Sequence, residues 1–97
     1  MATATDTQIE KKLKTPSLWH VVFHNDDFTP MDFVTQVLME VLHKTEDEAY
    51  AIMLKVHHEG KATAAVYTKE IAQTKASEVM KLAQHFQHPL RVTADEG

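Results

Sequence analysis

The stretch His24–Val34, HNDDFTPMDFV, turns the chain from one kind of structure into another. Just before it, Leu18 to His24 reads LWHVVFH, rich in β-branched and aromatic residues, which predicts a strand. Within it, Thr29 is placed as a helix N-cap, Pro30 at the first helical position and Asp32 at the third. The acid there makes the start capping-box-like. Onward from it, Met31, Val34, Val37, Leu38, Val41 and Leu42 recur at three- and four-residue steps, predicting one buried helical face. His43 and Lys44 then fall in the last turn, where positive charge suits the helix dipole. At the junction sit two adjacent acids, Asp26 and Asp27. Adjacent carboxylates repel each other and lose solvation if buried, so the pair poses a question of which positive group it awaits.

Working outward, Thr45 opens a second helix whose first turn holds Glu46, Asp47 and Glu48, with Glu48 as capping-box partner. Ala49, Ile52, Met53 and Val56 form its inner face, and Gly60 follows at the position after the helix. Ala62 to Thr68, ATAAVYT, reads as a second strand weakened by its alanines. Thr68 caps a third helix with apolar positions Ile71, Ala72, Ala76, Val79, Met80 and Ala83. Pro89 ends that region, and LRVT, Leu90 to Thr93, is a short last strand. The order β-α-α-β-α-β predicts a two-layer α+β domain, helices on one face of a small sheet. No internal repeat and no second domain is visible. Residues 1–15, MATATDTQIEKKLKT, are polar and cannot bury enough surface to offset the entropy of ordering. They read as a flexible tail, or as a passive terminus, ahead of a domain over residues 16–97.

The bulk properties exclude several classes. Ninety-seven residues suit one small domain with little room for a deep enzyme cleft. A net charge of -4 argues against a nucleic-acid binder, which would carry a basic stripe. The chain has no cysteine, so it holds neither disulfides nor thiolate zinc sites, and it fits a reducing compartment. No apolar run approaches the length of a membrane span, and no secretory signal is visible. There is no phosphate-binding glycine loop, no G-x-S-x-G and no HExxH. The acid pair is open to an acid–base role, although adjacent acids on a turn diverge and are commonly only solvated. Among seven histidines, His57 and His58 are about 100° apart on a helix and cannot easily share a metal. His85 and His88 have chelating i,i+3 spacing, a weak signal beside the plainer reading of a surface pair.

The acid pair also suits a cation receptor. Asn25 and Asp27 offer oxygens just before a helix, and neutral His57 offers a ring nitrogen. Met31, Val34, Met53 and Val56 lie behind them on inner helix faces. A ligand with an ammonium beside an apolar side chain satisfies both halves, and the free N-terminal residue of a peptide is such a ligand. The plainer reading keeps these apolar residues as core.

At this point the chain resembles a known family. NDDFTPMDFV stands beside the NDDYTPMEFV pattern of ClpS, the bacterial adaptors that carry N-degron substrates to a Clp unfoldase. The resemblance runs on through MLKVHHEGKA, YTKEIAQTK and HPL and covers about Thr15 to Asp95. It implies three antiparallel strands with three helices on one face, a fold shared with the C-terminal domain of the ribosomal stalk protein. It also implies a cytoplasmic monomeric adaptor, not an enzyme, with no cofactor or metal. By the match, Asn25, Asp27 and His57, with Asp26 beside them, hold the substrate α-amino group. Thr29, Met31, Val34, Met53, Val56 and Leu90 match the wall of a pocket for Phe, Tyr, Trp or Leu, with Met31 the gate against β-branched side chains. Glu70 and Lys75 match the surface that docks on the N-domain of the AAA+ unfoldase. They are about 140° apart around the third helix and flank its exposed side. The tail, able to extend about 50 Å, is then a segment for the unfoldase to grip. Three departures stand out: Phe28 where tyrosine is usual, His24 at an apolar position beside the pocket, and Ala64-Ala65 for Cys-Gly. The alternative is a non-degron interaction domain of the same stalk-like fold.

Overall fold

The computed structural model describes residues 17–97, so the expected tail over residues 1–15 lies outside the described residues. Its elements are β1 (Leu18–His24), α1 (Met31–Glu40), α2 (Glu46–Glu59), β2 (Lys61–Thr68), α3 (Lys69–His85) and β3 (Arg91–Glu96). The three strands form one antiparallel sheet, as the resemblance implied, and their order in it is β2-β1-β3. Side-chain alternation assigns the faces. Val21 and Phe23 of β1, Ala62 and Ala64 of β2 and Val92 of β3 join the helices in one core. On the other face, His20 and His24 meet Thr63 and Thr93 through their ring nitrogens. The helices complete the core with Val37 and Leu38 of α1, Ala49 and Met53 of α2, and Ala72, Ala76, Val79 and Ala83 of α3. The weak strand formers of β2 are thus the small residues that let helices approach the sheet. The β1–β2 register shifts between Val21 and Val22, where Ala64 is the residue left over.

Several expectations about helix ends are corrected. Thr29 does not cap α1. The N-cap position is Pro30, at φ -64 and ψ 141, with no side-chain bond. Thr29 instead donates both its N–H and its hydroxyl to Asp26. At the other end α1 stops at Glu40, so His43 and Lys44 lie beyond the last turn. His43 adopts a left-handed φ of 57, and the Lys44 N–H reaches back to the Leu38 carbonyl at 3.1 Å, which closes the helix early. Leu42 is nevertheless buried. Thr68 occupies the N-cap position of α3 without a side-chain bond. The α2 cap matches its expectation fully: Thr45 and Glu48 form a reciprocal capping box, and Gly60 ends the helix at φ 91.

The inner face of α3 is narrower than expected. Ala72, Ala76, Val79 and Ala83 recur at four-, three- and four-residue steps and are buried, whereas Ile71 lies one residue, about 100°, off that stripe. It is 48 % exposed. The small stripe sets α3 close against all three strands. α3 ends in a Schellman turn: Gln87 sits at φ 63, its N–H bonds the Gln84 carbonyl, and the His88 N–H bonds the Ala83 carbonyl at 2.8 Å. This turn returns the chain to Leu90 and β3. The last strand runs three residues past Thr93, to Glu96, because β1 offers it partners as far as Trp19.

Candidate functional site

A cleft of about 180 Å³ opens at the C-terminal end of β1. It is smaller than the ~300–1,000 Å³ of drug-sized ligand pockets and suits one side chain. Every residue the resemblance assigned to the ammonium site and pocket wall lines it. Asn25, Asp26, Asp27 and Thr29 come from the loop after β1, Met31 and Val34 from α1, Met53, Val56 and His57 from α2, and Leu90 from the approach to β3. On α1 Val34 follows Met31 by three residues, and on α2 Val56 and His57 follow Met53 by three and four, so each helix presents one face to the cleft. The walls Val34, Met53, Val56 and Leu90 are buried. Met31 is 44 % exposed, at the rim rather than in the helix's buried face where its spacing placed it. His24 lines the cleft as well, a residue set beside the pocket by the resemblance but outside the expected site.

The polar rim is organised by two backbone devices. The Asn25 N–H donates to the Gly60 carbonyl at 2.9 Å, fastening the loop to the end of α2. Gly60 can turn there because a left-handed φ costs glycine little. His57, in the last turn of α2, is thereby brought beside Asn25 and Asp27 from 30 residues further along the chain. The second device is Asp26. Its Oδ1 accepts from the N–H groups of Phe28 (2.8 Å) and Thr29 (2.7 Å), and its Oδ2 from the Thr29 hydroxyl (2.8 Å). Three of its about four acceptor positions are filled. Burial pushes the Asp26 carboxyl up, but the Thr29 and Phe28 bonds outweigh it and hold the group below the usual aspartate value. Asp26 therefore holds the turn, and the ammonium contact expected of it together with Asn25, Asp27 and His57 has only its remaining acceptor position to use.

Asp27 has no such partners. Among the described residues, no protein side chain bonds the Asp27 carboxylate, the Asn25 amide or the His57 ring; the His57 ring has the His58 ring edge-on at 5.3 Å. The adjacent acids have separated, one folded into its own loop and one facing the cleft. An acid–base dyad needs two carboxylates working together, and this arrangement divides them.

His24 faces the other side of the sheet through its ring. Its Nε2 lies 2.9 Å from the Thr93 hydroxyl, whose own proton goes to Asp95 Oδ2 at 3.3 Å. That chain makes Nε2 the donor. Burial, with Arg91 and Lys61 nearby, holds the His24 ring below the ordinary histidine value, against an opposing pull from Asp95. The bond ties β1 to β3 at the point where one strand delivers Asn25 and the other is entered from Leu90.

The other histidine pair, His85 and His88, does structural work. His88 packs edge-on to Phe33 at 4.7 Å and His85 to Phe86 at 4.9 Å, on either side of the left-handed Gln87. Away from the cleft, Glu70 is exposed but Lys75 is not a free surface charge. Its Nζ donates to the Val41 carbonyl at 3.1 Å and lies 4.0 Å from Glu78, tying α3 to the end of α1. The expectation that both residues flank a solvated side is corrected for Lys75. The end of α1 leaves carbonyls that need donors, and Lys75 supplies one.

The comparisons agree with this geometry. Residues 14–93 match the family model described as ATP-dependent Clp protease adaptor protein ClpS. An ATP-dependent Clp protease adapter protein ClpS of Deinococcus radiodurans is 50 % identical over 91 residues, 94 % of this chain and 80 % of the relative. Its counterpart in Helicobacter hepaticus is 45 % identical over 94 residues, 97 % of this chain and 95 % of the relative. Among solved structures, Agrobacterium tumefaciens ClpS2 bound to L-phenylalaninamide superposes with a TM-score of 0.83 at 38 % identity, covering 84 % of this chain and 99 % of that one. With a family match over most of its length, relatives at half identity and a shared fold, the chain belongs to the ClpS family of Clp protease adaptors.

Proposed function

We propose that the protein is an N-degron adaptor: it binds the free N-terminal residue of a substrate when that residue is Phe, Tyr, Trp or Leu and hands the substrate to a Clp unfoldase. The observation that carries this reading is the cleft itself. Eleven residues from four separate segments converge on a space the size of one side chain, with apolar walls below and, at the rim, acceptors unengaged by any other described residue. An ammonium has three donors and needs about three acceptors once desolvated. Asp27 supplies charge, Asn25 orientation, and His57 a ring nitrogen. Charge-assisted bonds contribute roughly 1.5–3 kcal/mol each, and burying a Leu or Phe side chain about as much again. L-phenylalaninamide, the ligand of the Agrobacterium relative, is chemically an ammonium beside a benzyl group. It has the two halves this cleft can receive.

Delivery requires a second surface. Exposed Glu70 is the charge available for the unfoldase N-domain, and Lys75 acts there by shaping the α1–α3 junction. The alternative, a docking module that binds no degron, leaves the acceptor rim without a use. Fluorescence anisotropy with a Phe-initiated peptide and its acetylated twin tests the reading. The free peptide is expected to bind in the micromolar range, about -8 kcal/mol. Acetylation removes the charge and two donors and is expected to abolish binding; equal affinity for both forms would overturn the degron reading.

A further inference from the structure

The last rung of the sheet frames the cleft. His24 is the final residue of β1 that pairs on both sides, with Lys61 of β2 and with Arg91 of β3. The next residue along β1 is Asn25 and the residue before Arg91 is Leu90, and both line the cleft. The separation between the polar rim at Asn25 and the apolar wall at Leu90 is therefore set where this rung closes. The end of a sheet is also where local opening costs least. On the β2 side the Asn25 N–H fastens the end of β1 to the Gly60 carbonyl. On the β3 side the fastening is a side chain. The His24 ring reaches diagonally past Arg91 and gives its Nε2 proton to the Thr93 hydroxyl, which gives its own to Asp95.

We infer that His24 is a positioning residue for degron recognition: through Thr93 it holds Asn25 in place opposite Leu90, and it does so as a neutral ring. The inference rests on the N-degron reading of the cleft. The need for neutrality follows from the neighbours. Paired residues share a face of the sheet, so Lys61 and Arg91 flank the ring from either side. Asp95 opposes them from beyond the Thr93 hydroxyl. With the Nε2 proton given to Thr93, a second proton goes to Nδ1 and makes three cations in a row. That charge stands directly behind Asn25, whose side chain receives the ligand ammonium in this reading. A proton on His24 and an ammonium in the cleft thus oppose each other. Binding weakens as pH falls through the His24 pKa, which burial and Arg91 hold below the ordinary histidine value.

The experiment titrates the protein and its variants with L-phenylalaninamide at about pH 7.5, well below the melting temperature of each. His24→Val removes the donor and Thr93→Val the acceptor. Each is expected to lower affinity about threefold to tenfold, the range one hydrogen bond spans, and the double variant no further than either alone. His24→Gln places an amide N–H where Nε2–H was and is expected to bind within about twofold of the wild type. From about pH 7.5 to about pH 5.5 the wild type is expected to lose about threefold more affinity than His24→Gln, because only the wild type gains a charge behind Asn25. The other histidines and the ligand amine are common to both proteins, so the difference between the two profiles belongs to residue 24. This comparison stands whether or not the valine variants fold. Valine variants that melt earlier yet bind phenylalaninamide as the wild type does would make the bond a structural tie only and overturn the inference. So would a glutamine variant that repeats the wild-type pH profile or fails to restore the affinity lost with valine. Failure of the wild type to bind phenylalaninamide at all would overturn the cleft reading and this inference with it.

Discussion

The cleft end and the α3 surface use charge in opposite ways. At the cleft, polar groups are held in place by backbone bonds while no other described residue engages the Asn25 and Asp27 side chains: Asn25 is fixed through its N–H on Gly60, and Asp27 stands next to an Asp26 that holds the turn. On α3 the arrangement is reversed, since Lys75 spends its ammonium on the Val41 carbonyl and Glu78. The comparison teaches that position on an exposed helix or loop does not tell whether a charge is available to a partner. What decides is whether the surrounding backbone has already claimed it. A group can recognise a ligand only if another group does its structural work, and Asp26 does that work for Asp27.

The largest expected effect breaks the comparison at Asp27. Asp27→Asn should lower affinity for a Phe-initiated peptide by about ten- to a hundredfold, the loss of one charge-assisted bond, with little change in melting temperature. Anisotropy and a thermal melt on the same sample read both. A variant that binds normally would move the charge contact to another residue.

Next comes the rim. Met31→Ala should admit Ile and Val as first residues, with about tenfold gain, because a branch at Cβ no longer meets the methionine at the mouth. A smaller loss is expected for Phe and Leu. An unchanged preference across a panel of first residues would make Met31 a packing residue only.

Asp26→Asn sharpens the contrast with its neighbour, since its effect should fall on stability. Losing part of this cap-like network costs about 1 kcal/mol. The fold holds the Asp26 carboxyl below its ordinary value, so it favours the ionised form. That contribution is fully present above the unfolded aspartate pKa of about 3.9 and is lost as pH falls through the depressed folded value. Melting temperature followed from pH 6 to about pH 3 should therefore drop more steeply in the wild type than in Asp26→Asn. Parallel curves would assign the acid sensitivity elsewhere.

The smallest effects lie on α3. Glu70→Lys should leave peptide affinity untouched and weaken association with the unfoldase N-domain several-fold, measured by pull-down or calorimetry. Lys75→Met should lower stability by about 0.5–1.5 kcal/mol through the lost bond to Val41, and weaken docking only as far as the α1–α3 junction loosens. If Lys75→Met impairs docking more than Glu70→Lys at unchanged stability, Lys75 touches the partner directly.

Much of this was legible in the sequence, and each success has a local cause. Strand β1 shows in its β-branched and aromatic run, α2 in a capping box four residues long, and the turn at Gly60 in the one residue type that takes φ 91 without strain. These depend on neighbours within a few positions, so composition and spacing reveal them. Which residues converge on the cleft was legible through the family pattern, because the loop after β1 and the last turn of α2 each bear a dense motif. The Thr29 cap and the Lys44 helix end were misplaced for a related reason. Thr29 had two local partners, and sequence spacing cannot tell that Asp26 competes better than the helix N–H groups.

What the sequence determined by itself, then, is the order of elements, their capping chemistry and the residue types gathered at the junction His24–Val34. Only the tertiary structure decided which of those groups remain available. Asp26 and Asp27 are indistinguishable as neighbours in a string, and they part because the turn presents two N–H groups and a hydroxyl to one of them. Lys75 and Ile71 look like a solvent charge and a core residue from helical spacing. They exchange those surroundings because the end of α1 brings a bare carbonyl to the lysine, while the alanine stripe alone fills the space against the sheet. Hydrogen-bond competition and close packing act between segments distant along the chain, and that distance is closed only in the fold.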